Sequence, residues 1–275
     1  NTPVKHEPRN QKQYDDLEKA GYRPFPLPLG LLLNEQNRPH SPCIKCNTCD
    51  GFPCMVDGKA DAHVVCIEPA LKHPNVHMLT GVYVERLDTN PSGTHVTQVI
   101  VKRNGHQEIY KGDIIVVSCG AINSAALLLR SRSDKHPHGL ANSSDLVGRN
   151  YMCHNNSALV VLTTEKNPTQ FQKTLALNDF YHRAPDSPLP PGHIQMLGKA
   201  DKWMFKGDAP PLTPNFALDL MAHRSLDFWL TSEDLPDPEN RVTLGKDGKI
   251  HLSYTENNLE AHHRLLQKLK EILKQ

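Results

Sequence analysis

The stretch Asp113-Ile114-Ile115-Val116-Val117-Ser118-Cys119-Gly120-Ala121-Ile122-Asn123-Ser124-Ala125-Ala126-Leu127-Leu128-Leu129-Arg130-Ser131 decides how the rest of the chain is read. Ile114 to Val117 is an uninterrupted β-branched run, the pattern of a parallel strand buried on both faces. It breaks at three small residues, Cys119-Gly120-Ala121, and Ser124 is placed to N-cap a short helix of alanine and leucine. A strand, a tight glycine turn and a helix make a crevice at the carboxyl end of a strand, where open α/β sheets take ligands. A helix N-terminus favours an anion, and small residues let a cofactor approach the backbone. The same pattern also describes an ordinary buried strand and helix.

Working outward toward the N-terminus, His95 to Lys102 and Glu108 to Tyr110 read as a hairpin turned by Asn104-Gly105. Asn75 to Leu79 and Val82 to Leu87 read as short strands, and residues 58–74 as a short helix ended before Pro74. A charged helix is expected over Gln11 to Ala20, followed by extended chain forced by Pro24, Pro26 and Pro28. Toward the C-terminus, Ala158 to Thr164 and Phe216 to Met221 read as strands, and residues 165–215 carry few strong elements. Asn240 to Leu244 and Lys249 to Tyr254 alternate as two strands around Asp247-Gly248. Asn258 to Lys274 is an amphipathic helix with Leu259, Leu265, Leu266, Leu269, Ile272 and Leu273 on one side.

Between the two N-terminal regions lies Cys43-Ile44-Lys45-Cys46-Asn47-Thr48-Cys49-Asp50-Gly51-Phe52-Pro53-Cys54, a C-x2-C-x2-C-x4-C spacing. Four thiolates this close suit a zinc ion or an iron–sulfur cluster, with Cys43, Cys46, Cys49 and Cys54 as ligands. Redox-active or disulfide-bonded cysteines are the other reading, and the spacing alone does not choose. No second distant CxxC completes a zinc ribbon, and the run departs from the bacterial ferredoxin spacing.

The chain has 275 residues, enough for one large or two small domains, and 22 prolines fit long irregular connections. A net charge of +1, from 31 basic and 30 acidic side chains, gives no field for nucleic acid. No apolar run is long enough to span a membrane, and no signal peptide is legible. Clustered cysteines do not suit a secreted disulfide framework, which tilts the compartment toward the cytoplasm. There is no P-loop, no G-x-S-x-G elbow and no H-E-x-x-H.

Five segments, in order, resemble the glucose–methanol–choline (GMC) family of FAD-dependent oxidoreductases. Gly58 to Ala62 with Pro69-Ala70 and His73 to Val76 is similar to the family's helix leading into an Arg-Pro-Asn-Leu type strand. Leu79 to Val84 is similar to the strand that holds the FAD adenine. Val116 to Ser131 resembles the second family signature, with Ala125 in place of its Pro and Arg132 in place of its Gly. Leu146 to His154 resembles the Val-Gly-x-Asn-Leu-x-Asp-His loop, with Cys153 in place of Asp. Asn240 to Leu244 resembles the start of the family's C-terminal region.

The resemblance implies an α/β plus α+β fold: part of a Rossmann-like FAD-binding domain over residues 66–150, and part of an antiparallel-sheet substrate domain over 151–275. Residues 1–65 form an irregular, cysteine-rich segment. It implies oxidation of an alcohol or sugar CH–OH group with hydride passing to flavin N5, and electrons passing on to an acceptor. The cysteine segment is similar to a subset of bacterial dehydrogenases, which favours a dehydrogenase over an oxidase. Tyr83 and Val84 would meet the adenine through backbone groups, Cys119, Gly120 and Ala121 would approach the cofactor, and Asn150 and His154 would lie in a loop near it. His154 is expected to brace that loop rather than act as base. No two glycines are spaced G-x-G, so the fingerprint for the FAD pyrophosphate is missing. The family's catalytic histidine lies beyond the region begun at Asn240. The chain is therefore expected to be the middle of a longer enzyme that needs its N- and C-terminal parts, inactive alone. The rival reading is a non-enzymatic metal or iron–sulfur module built on the four cysteines.

Overall fold

The computed structural model describes residues 2–182 and 187–274. In chain order its elements are α1 (Pro8–Lys19), β1 (Pro24–Pro26), α2 (Glu68–Ala70), β2 (Val82–Thr89), β3 (Val96–Arg103), β4 (His106–Tyr110) and α3 (Gly120–Arg130). Then follow β5 (Asn155–Leu162), β6 (Leu175–Leu177), β7 (His193–Met196), α4 (Lys202–Asp208), α5 (Asn215–Arg224), β8 (Ser225–Ser232), β9 (Arg241–Leu244), β10 (Ile250–Ser253) and α6 (Leu259–Ile272). The chain divides into two compact units: Asn1–Val76, His154–Glu233 and Asn258–Gln275 form the first, and His77–Cys153 with Asp234–Asn257 the second.

The first unit is built on one antiparallel sheet of order β1-β6-β7-β8-β5. β8 lies inside this sheet and is buried along most of its length. Leu175, Leu177, Ile194, Met196, Phe228 and Leu230 meet Leu265, Leu269 and Ile272 of α6 and Leu17 of α1 in a single core. The period-3.6 stripe of α6 thus covers the sheet, as its sequence demands. Asp227, in the middle of β8, is also buried. It is tolerated because its Oδ2 accepts from Gln172 (3.0 Å), the Ser225 hydroxyl (3.0 Å) and the Ala200 N–H (3.2 Å).

Three histidines in this unit are held in the neutral form, each chiefly by burial: His6, His193 and His262 titrate below their ordinary 6.5. His262 shows why. The Ser232 hydroxyl donates to the Pro191 carbonyl and so accepts from His262 Nδ1 (3.0 Å), leaving Nε2 to accept from Ser157 (2.7 Å). Burial first, and the neighbouring His263 second, disfavour the charged ring. Unfolded, each ring takes its proton near 6.5, so the stabilisation is present above that pH and is lost as pH falls through the lower folded values. The urea midpoint of this unit is expected to fall between pH 7.5 and 5.5, and less so in His262→Gln. An unchanged midpoint across that range would show that these rings contribute nothing.

The second unit holds a meander, β2-β3-β4, and a hairpin, β9-β10, with α3 packed on β2 and β9. The β3–β4 turn has Asn104 at φ 50° and Gly105 at φ 83°, the primed geometry that Asn-Gly prescribes. Leu87, Leu127 and Leu140 form its small core, with Ile115 and Val117 packed against them.

The structure departs from the sequence reading at four places. Residues 114–117 form no strand; Ile114 is 85% and Val116 79% exposed, while the alternate residues Ile115 and Val117 face the core. The run is extended, but a strand needs a hydrogen-bonded neighbour, and every ladder among the described residues is antiparallel and lies elsewhere. Residues 75–79 are likewise unpaired. Residues 216–221 lie in helix α5, since a short apolar run of Phe, Leu and Met with one alanine carries helix propensity as readily as strand. Ser124 is not an N-cap: α3 begins at Gly120, and the Ser124 hydroxyl accepts the Cys119 N–H at 2.9 Å from inside the helix.

Candidate cofactor site

The turn into α3 holds the small residues that the sequence marks for close approach of a cofactor. Gly120 opens the helix at φ 78°, a conformation that side chains resist, and a Cβ built there would meet nothing within 4 Å. Cys119, Gly120 and Ala121 are exposed, and the Cys119 side chain makes no capping bond. The first N–H groups of α3 are therefore available to an acceptor, with the positive end of the helix dipole behind them. At the other end of α3, about 16 Å along its axis, the Arg130 guanidinium lies 5.5 Å from the centroid of the Tyr83 ring, which is half exposed. Val84, next on β2, is turned into the unit's core. The residues named from sequence thus mark both ends of one helix, and Arg130, which sequence reasoning missed, joins them. Its place inside the signature was visible; its stacking on Tyr83, 47 positions earlier, is tertiary.

The loop before β5 is fixed by backbone pairing and by one arginine. Val242 N–H donates to the Gly148 carbonyl (2.7 Å) and Tyr151 N–H to the Asn240 carbonyl (2.8 Å), so the loop extends the edge of β9. Arg149 bonds Asp145 Oδ2 at 2.6 Å and Glu239 Oε1 at 3.2 Å, holding the Asp145 carboxyl below its usual range. Asn150 stands at φ 55°, which asparagine accepts better than most residues. Tyr151, Cys153 and Tyr254 gather around the buried Asp234, which accepts from the Cys153 N–H (3.2 Å) and the Tyr254 hydroxyl (3.0 Å). Burial first, and that carboxylate second, push the Tyr254 hydroxyl up to about 12. No sequence signal pairs these residues. His154 belongs to the first unit, where its Nε2 lies 3.7 Å from Glu233 Oε2, both exposed.

The four cysteines are not drawn together as a ligand set in the structure. Among the described residues no group of three or more His, Cys, Asp or Glu is arranged to hold an ion, and all seven cysteines are free thiols. The thiols are engaged separately: Cys54 Sγ accepts the Gly58 N–H (3.2 Å), and Cys46 Sγ the Thr48 hydroxyl (3.5 Å). Cys43 is buried tightly against Gly58, where an added Cβ would lie 2.8 Å from its Cα. Together with Leu31, Phe52 and Phe171 they line a small apolar cavity of about 150 Å³. The loop is anchored by Asp50, whose carboxylate takes Lys173 Nζ (2.7 Å) and the Gly198 N–H (2.6 Å). Backbone N–H groups, that of Val56 foremost, lower the Cys54 thiol, whereas burial raises that of Cys49. Iodoacetamide at pH 7 is expected to label Cys54 before Cys49, read by peptide mass spectrometry. The reverse order would show that the N–H cradle does not hold in solution.

The family model described as GMC oxidoreductase matches residues 2–156. The chain belongs to the GMC oxidoreductases, a family of FAD-dependent enzymes that act on CH–OH groups of alcohols and sugars. It is 36% identical over 156 residues to a 6'''-hydroxyparomomycin C oxidase of Streptomyces lividus, covering 55% of this chain and 28% of that protein. It is 26% identical over 157 residues to a gluconate 2-dehydrogenase flavoprotein of Pantoea cypripedii, covering 55% of this chain and 25% of that one. The chain thus spans about a quarter of the length of these relatives. In fold it is similar to the crystal structure of a pyridoxine 4-oxidase from Mesorbium loti, with a TM-score of 0.53 at 16% identity, covering 80% of this chain and 44% of that one. No helix among the described residues is long and apolar enough to cross a membrane.

Proposed function

We propose that these residues are the middle of a longer flavoenzyme that removes hydride from an alcohol or sugar CH–OH group. Residues 66–150 supply part of its FAD-binding domain and residues 151–275 part of its substrate domain. The observation that carries this reading is the exposed α3 turn in a chain of this family: a positive-φ glycine, open space in front of it and uncapped N–H groups. FAD, when bound, supplies the hydride acceptor at N5. This chain's residues hold and orient it. Cys119, Gly120 and Ala121 let the cofactor approach α3 closely; Tyr83, stacked under Arg130, and the backbone of Val84 meet the adenine end; Asn150 and His154 shape the loop after Gly148. The pyrophosphate site and the proton acceptor come from the N- and C-terminal parts of the enzyme.

The electron acceptor divides the relatives, one being named an oxidase and the other a dehydrogenase. We favour the dehydrogenase on the cysteine-rich segment. The protein expressed from its complete coding sequence is expected to purify with bound flavin that bleaches anaerobically on addition of a sugar or alcohol and recovers with a dye acceptor faster than with oxygen. A flavin indifferent to every CH–OH compound tried refutes the activity; faster recovery with oxygen refutes only the choice of acceptor.

A further inference from the structure

The first unit carries a groove of about 350 Å³ that nothing in the flavin chemistry employs. Its wall is the indole of Trp203, in the first turn of α4. Asp201 fixes that turn, its Oδ1 accepting the N–H groups of Trp203 (2.8 Å) and Met204 (3.0 Å). The backbone of the turn is fixed while Trp203 is 61% exposed, with the ammonium groups of Lys202 and Lys206 over its ring at 5.4 and 5.2 Å from the centroid. An exposed tryptophan on a capped helix buries little for the fold, and large aromatics left in the open mark binding surfaces.

The rest of the groove is polar. Lys202 Nζ pairs with Asp219 at 3.4 Å, and among the charged side chains lining the groove Lys199 and Lys202 are matched by Asp201 and Asp219. His223 Nδ1 bonds the Asp219 carbonyl (2.7 Å), so its Nε2 remains open to a ligand, and the Asn47 amide makes no side-chain hydrogen bond among the described residues. Thr169 lines the same groove, is 4% exposed, and its hydroxyl oxygen has no partner among the described residues. A buried hydroxyl without a partner is costly to the fold. A flat apolar face beside a carboxylate, an amide and an imidazole suits a pyranose ring, with C–H groups on its faces and hydroxyls around its edge.

We propose that this groove is a carbohydrate-binding site, in which a sugar ring stacks on Trp203 while Asp219, His223 and Asn47 bond its hydroxyls. The site holds sugar without oxidising it, and its occupancy is independent of flavin. Two tryptophans are present, so Trp229→Phe leaves Trp203 as the sole indole. In that variant of the intact protein, methyl β-glucopyranoside, methyl β-galactopyranoside and glucosamine are each titrated against tryptophan fluorescence. A saturable change for at least one sugar is expected, with Kd on the order of 1–10 mM. Calorimetry on the protein retaining Trp229 then compares Trp203→Ala, expected to lose at least about tenfold in affinity, with Trp203→Tyr, expected to retain most of it. The indole is exposed, so the alanine variant is expected to keep its circular dichroism. Absence of saturation by all three sugars overturns the proposal, as does unchanged affinity in Trp203→Ala, which would place the sugar in the reactive site instead. Saturation by sodium phosphate in place of sugar would make the groove an anion site and overturn it too. Because no turnover is read, failure here leaves the flavin reading standing, and failure of the flavin reading leaves this one standing.

Discussion

Gly148→Ala is expected to be the most damaging small substitution in the second unit. The residue stands at φ 87°, and an added Cβ would lie 2.5 Å from the Val242 carbonyl oxygen and 3.5 Å from Leu129. The left-handed conformation alone costs a residue with a side chain about 1–2 kcal/mol. Pushing a methyl into a backbone carbonyl adds about 1–3 kcal/mol more, since backbone cannot rotate away as a side chain does. The hydrogen bond between the same two residues, Val242 N–H to Gly148 O at 2.7 Å, joins the loop to β9 and must shift. A loss of about 3 kcal/mol lowers the melting temperature of a unit this size by on the order of 10 °C. Hydrogen exchange over residues 77–153 should accelerate while the amides of β8 keep their protection. A melting temperature within about 1 °C of the parent would show that the loop is free to move off β9.

The second expected result concerns flavin. A chain of these 275 residues alone is expected to retain no FAD after gel filtration and to show no alcohol oxidation. The α3 turn offers N–H groups, but two phosphates need a glycine-rich turn at a helix start, and no two glycines here are spaced G-x-G. Loss of a general base alone costs about 10²–10⁴ in rate. The bare apolar side chains of Ile114 and Val116 should also drive self-association. A retained flavin band, bleached by an added alcohol, would overturn the reading of this chain as a partial enzyme.

What the sequence disclosed followed from local chemistry. Asn104-Gly105 and Asp247-Gly248 turn hairpins because their backbone conformations are available to few other pairs, and both hairpins stand where those residues put them. The leucines of α6 recur at helical spacing and bury a stripe. What it concealed was tertiary. Ser225 to Ser232 reads as an ordinary polar-apolar mixture because Asp227 interrupts it, and that aspartate is acceptable only through Gln172, Ser225 and Ala200, which no window around it reveals. Ile114 to Val117 reads as buried because the residues are apolar, whereas burial depends on what lies beside them. The small-residue turn into α3 was legible because a signature fixes its residues in one stretch. The Tyr151–Cys153–Tyr254–Asp234 knot was not, since its members come from separate segments.

The interleaving of the two units sets the order in which they mature on the ribosome. The second unit is closed by β9 and β10, and Arg149 reaches its partners Pro238 and Glu239 only 89 and 90 positions later. The first unit is roofed by α6, which leaves the exit tunnel later still. For most of translation, then, the large sheet waits for α6 with its apolar face uncovered, and nascent chains of this protein should be frequent clients of chaperones. A stop codon introduced near residue 234 would forfeit both units at once, rather than trimming a tail from one.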